Sequence, residues 1–191
     1  MLIDAESFDY EERKMLIKEL FFGGNYREGI REATIAMSNL SSFPEKSKYY
    51  LSFCKLAAMG YRKIGNFTSA VETINRGIKF VTDRSLSDHS PKWKLELAIL
   101  HVNLGAVYDS AGCHVQAIDE CVCAGGIFEE LNDYHHLMMV YETELVSFLT
   151  VGNYDEAREI MREMELLSAK HNIRIDQNIL FNYSKAMEEA K

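Results

Sequence analysis

Leu104-Gly105-Ala106-Val107-Tyr108-Asp109-Ser110-Ala111-Gly112-Cys113-His114-Val115-Gln116-Ala117 is the stretch on which the fold turns. Upstream, Trp93 to Val102 reads as helix, with Ser90 as its cap and Pro91 in its first turn, where proline is welcome. Gly112 then stands where a helix must stop, and glycine takes the left-handed conformation that stops it. Three related strings lie elsewhere: Gly24-Asn25-Tyr26-Arg27-Glu28-Gly29, Gly65-Asn66-Phe67-Thr68-Ser69-Ala70 and Gly152-Asn153-Tyr154-Asp155-Glu156-Ala157. The four glycines are 41, 47 and 40 residues apart. Each string reads as a corner between two helices. Asn25 and Asn153 suit the N-cap, with Glu28 and Glu156 three residues on as capping-box partners. The aromatic ring fills the wedge, and Gly29, Ala70, Ala117 or Ala157 lets the backbones approach.

A hairpin of this kind has no core of its own and must stack on its neighbours. Apolar spacing places helices at 8–22, 26–40, 47–64, 67–81, 91–111, 114–130, 133–151, 154–171 and 174–189. The expected fold is all-α: four hairpins, 8–40, 47–81, 91–130 and 133–171, then a capping helix at 174–189, all within one domain of residues 1–191. Pro44 and Pro91 both fall between hairpins, and no window alternates long enough for a strand.

Leu104, Gly105, Tyr108, Gly112, Ala117, Cys121 and Ala124 sit at the spacings of the tetratricopeptide (TPR) repeat, which the chain resembles over nearly its whole length. Tyr61, Gly65, Phe67, Ala70 and Ile74 repeat part of the pattern. The signature tryptophan and terminal proline are absent from every repeat, and the period exceeds the usual 34. Longer hairpins of this sort are similar to those of the kinesin light chain and of the Rap and PlcR type of peptide-sensing bacterial regulators. The resemblance implies a right-handed solenoid whose first helices line a concave peptide-binding groove. Carried over by position, the groove residues are Lys14 and Lys18, then Lys55 and Arg62 with Met59 and Lys63 beside them, Asn103 and Asp109 with Ala106, Glu142 with Val146 and Leu149, and Asn182 with Asn178. Asn103 is the leading candidate, because an amide both donates and accepts toward a peptide backbone. Lys55 and Arg62 suit a carboxylate. A first hairpin beginning near residue 8 leaves no room for the DNA-binding helices such regulators often carry, so action by protein contact or as a stand-alone sensor is expected.

Charge narrows the function further. The chain has 21 basic and 29 acidic residues, a net −8. Residues 1–96 carry 15 basic and 13 acidic side chains, and residues 97–191 carry 6 and 16. That balance argues against nucleic acid and anionic lipid as partners, since both need a basic face. No apolar run approaches the length of a bilayer span, and Met1-Leu2-Ile3 leads straight to Asp4 and Glu6 without a signal core. The expected location is the cytoplasm.

Chemistry-bearing motifs are few. No phosphate loop, nucleophile elbow or paired-histidine zinc helix occurs, so neither an enzyme nor a cofactor site is expected. Cys113, His114, Cys121 and Cys123 lie close in sequence, but Cys121 and Cys123 project about 200° apart on a helix. Cys121 fills a packing position instead, and no metal is expected. The expected function is a regulatory module binding a peptide or protein segment in its groove. The alternative is a structural adaptor or homodimer that uses terminal or convex surfaces.

Overall fold

The computed structural model describes residues 9–40 and 47–190. Phe8 and Pro44 lie outside them. The chain divides into two compact units, Met1–His89 and Ser90–Lys191. In the first, α1 (Tyr10–Phe22), α2 (Tyr26–Leu40), α3 (Ser47–Lys63) and α4 (Phe67–Ser85) each pack on the next, and α1 also meets α3. In the second, α5 (Pro91–Ser110), α6 (His114–Leu131), α7 (Tyr134–Thr150) and α8 (Tyr154–His171) pack in sequence, and α9 (Gln177–Glu189) lies on α7. The described residues hold no strand.

All four corners have one geometry. Gly24, Gly65, Gly112 and Gly152 have φ between 74° and 78°. The residue after each glycine donates to the carbonyl five positions back: Asn25 to Leu20, Asn66 to Tyr61, Cys113 to Tyr108 and Asn153 to Phe148, at 2.7–2.9 Å. The glycine N–H itself reaches Phe21, Arg62, Asp109 or Leu149, which closes the orphan carbonyls of the helix end. A Cβ on any of these glycines would meet nothing within 4 Å, so only the backbone demands glycine. Gly112→Ala should therefore lower stability by about 1–2 kcal/mol through left-handed strain alone. Asn172→Gly, at a helix end that is also left-handed (φ 55°), should change it little, because glycine takes that conformation freely. Thermal unfolding of the two variants checks the contrast.

Two further left-handed residues, Asn132 and Asn172 (φ 55° each), end α6 and α8. Of the expected caps, Ser90 accepts from the Lys92 N–H at 3.5 Å, whereas the Asn153 side chain makes no capping bond. Asn66 caps α4 instead, accepting from the Ser69 N–H at 3.2 Å.

Two helix boundaries differ from expectation by more than two residues. α4 continues past residue 81 to Ser85, where Lys79 pairs with Asp83 at 3.3 Å and the Arg84 guanidinium covers the Phe80 ring. Helical i,i+4 pairing outweighs the turn propensity of the Thr-Asp-Arg-Ser run. α9 starts at Gln177, not 174, because Asp176 caps it and the preceding Ile173 and Ile175 are buried in non-helical chain. Ile179 and Tyr183 of α9 pack on the cluster around Met138, Leu145 and Met161, while Leu180 and Phe181 face outward. The last helix thus covers only part of the hairpin beneath it.

Candidate functional site

The expected groove residues divide between the two units. In the first, Lys14 and Lys18 stand on α1 and Lys55 and Arg62 on α3, two helices in mutual contact. Lys14 is paired with Glu11, one turn earlier, at 2.5 Å, and Lys18 is exposed. Lys55 and Arg62 are half-buried, and each already has an interaction partner. This set suits an anionic group, with Arg62 offering the planar fork.

In the second unit Asn103 is half-buried on α5, and its amide donates to the Ile99 carbonyl of the preceding turn at 2.7 Å. That bond fixes the amide and leaves its oxygen to accept. Asp109, near the end of α5, binds His114 Nδ1 at 2.9 Å across the Gly112 corner, so its carboxylate serves the corner. Glu142 on α7 accepts the Asp176 N–H at 3.4 Å. With Arg174, Asp176, Gln177 and Asn178 it borders an open hollow of about 560 Å³. Asn182 is exposed one turn further along α9 and does not border it. The structure thus gathers Glu142 and Asn178 but leaves Asn182 apart.

Sequence reasoning missed Glu144. It is 4% exposed on α7, and burial pushes its carboxyl up to about 7. No hydrogen bond to that carboxyl is present among the described residues. Its charge is felt by Cys121 of α6 and by Tyr141 one turn earlier. Ser147, one turn on, is fully buried with its hydroxyl unbonded among the described residues. Only depth distinguishes Glu144 from the exposed-looking Glu142, and the local sequence carries no mark of it.

Two of the thiols are poorly suited to chemistry. Burial raises both Cys54 and Cys121 to about 12, so each remains a protonated, apolar packing group. Cys121 therefore fills the packing position expected of it. No cluster of three or more metal-ligating side chains occurs among the described residues. No described helix is long and apolar enough to cross a membrane.

No family model matches the chain, and no curated protein matches it. Solved structures do. The apo form of RapI is similar at a TM-score of 0.70 and 16% identity, over 88% of this chain and 60% of that one. A Rap protein complexed with Competence and Sporulation Factor gives 0.69 and 16%, over 96% and 55%. A putative kinesin light chain from Podosopora anserina, described as having TPR-like repeats, gives 0.70 and 14%, over 94% and 84%. This chain thus spans little more than half the length of the Rap proteins. The fold is that of a TPR-like helical repeat protein similar to the Rap regulators.

Proposed function

We propose that the protein is a regulatory module that binds a peptide or protein segment along the first helices of its hairpins. The observation that carries this reading is the likeness to a Rap protein solved in complex with Competence and Sporulation Factor, over 96% of this chain. The side chains agree with it: cations on α1 and α3 suit a carboxylate, and the fixed amide of Asn103 presents an acceptor to a backbone N–H. On this reading the protein works in the cytoplasm, on protein partners and not on nucleic acid or membrane, and without a cofactor or catalysis of its own.

Isothermal titration against a library of short peptides tests it. A binder should appear, and Arg62→Ala and Asn103→Ala should each weaken it about tenfold, the effect of losing a charge-assisted or buried hydrogen bond. No binder, or one indifferent to both changes, would overturn the reading. Phe181, 68% exposed on the final helix, favours a second one, an adaptor that dimerises through α9. Sedimentation showing a tight dimer that Phe181→Ser dissolves, with no peptide affinity, would select it.

A further inference from the structure

A second cleft, of about 520 Å³, opens in the unit Ser90–Lys191 at the residues shared by α6, α7 and α8. None of the groove residues lines it. Its apolar lining is Leu137, Leu166 and Leu167, with the Tyr141 ring beside them. Leu166 is 64% exposed, a large side chain left in water on a helix whose neighbours bury theirs. Two carboxylates flank this lining from different helices, Glu129 on α6 and Glu163 on α8. The Tyr141 hydroxyl donates to Glu129 at 3.3 Å, which ties the phenol to the acidic rim. At one end Tyr134 stacks on His171 with ring centroids 3.6 Å apart. The His171 Nε2 is buried there without a hydrogen-bond partner among the described residues. Lys170 is the cation of the lining, against two acids.

We infer that this cleft is a second binding site, and that it takes an arginine side chain flanked by apolar residues on a segment of a partner protein. An arginine has the two parts the cleft calls for. Its aliphatic stem lies on leucine and tyrosine, as such stems do on apolar surface. Its guanidinium meets carboxylates from two sides and an aromatic face, and it donates at every nitrogen while accepting nowhere. A carboxylate-bearing side chain would face like charge from Glu129 and Glu163, and a wholly apolar one would leave them unmatched. The setting reinforces the choice, since residues 97–191 carry 16 acidic against 6 basic side chains. Such a field steers a basic segment toward this half of the chain.

The test is an NMR titration of the whole protein with acetyl-Leu-Arg-Leu-amide, beside the same peptide carrying citrulline, which keeps the shape and lacks the charge. The arginine peptide should shift the resonances of Tyr141, Leu166 and His171, and the citrulline peptide should bind about fivefold more weakly or worse. Glu129→Gln with Glu163→Gln should abolish that preference. Lys170→Ala should act in the opposite direction and tighten the arginine peptide. All three changes are at exposed positions, so the variants should retain the parent's circular dichroism. Equal binding of both peptides, or no shift at millimolar concentration, would overturn the assignment. Arg62→Ala and Asn103→Ala should leave this titration unchanged, which separates its outcome from that of the groove.

Discussion

Phe21→Ala should cost the first unit about 3–5 kcal/mol, the range for losing a buried phenylalanine. The upper end is expected, because of what surrounds the ring. Phe21 is 7% exposed and packs against Tyr26 with centroids 5.6 Å apart. Two of its further neighbours are glycines, one on each of two other helices. A Cβ added at Gly29 of α2 would lie 2.3 Å from the ring, and one added at Gly60 of α3 would lie 2.7 Å from it. The ring therefore occupies space that two glycines on two helices leave open, and no side chain at either position can relax into the hole. The converse follows. Gly29→Ala should cost about 1–3 kcal/mol by overpacking. The double variant should lose less than the sum, since the new methyl group enters the space the ring vacates. Urea denaturation of the four proteins measures the coupling. Strict additivity, or a loss below about 1 kcal/mol for Phe21→Ala, would show that the ring does not lock α1, α2 and α3 together.

Glu144→Gln should stabilise the protein at pH 8 by about 3 kcal/mol and alter it little at pH 5. Burial raises this carboxyl to about 7 from an ordinary value of 4.5. The folded chain therefore holds the proton over a range in which the unfolded chain has released it. Its stability is unaffected by this group below about pH 4.5, falls as pH rises through 4.5 to 7, and carries the full cost above 7. Glutamine keeps the shape and cannot ionise, so the slope should vanish. At roughly 2–4 °C per kcal/mol, the thermal midpoints of the two proteins should differ by about 6–12 °C at pH 8. Parallel pH profiles would show that the carboxylate is solvated in the folded chain after all.

Both predictions bear on what a linear chain discloses. The corners were legible because a local conformation demands a particular residue: positive φ selects Gly24, Gly65, Gly112 and Gly152 wherever the chain turns. Cys121 was legible too, since its place in the repeat is a packing position and it is 1% exposed. Asn132 and Asn172 end helices in the same left-handed conformation, but asparagine also caps helix starts and forms turns, so its identity decides less. The sites were harder. Repeat position alone singles out Asn103, yet that its amide bonds Ile99 depends on a rotamer. Glu129, Tyr141 and Glu163 come from three helices, and only packing makes them one cleft. Glu144 looks like its neighbour Glu142 until packing buries it.

Because the helices of each unit pack chiefly on those just before and after them, a change in the length of one connection disturbs few partners. The glycine intervals of 41, 47 and 40 residues are what such tolerance leaves behind. A fold wired this way can diversify hairpin by hairpin. Insertions are absorbed where they occur, duplication adds a pair of helices without redesigning the rest, and one corner serves each copy unchanged. Selection on binding can then act on single faces while the corners hold the register.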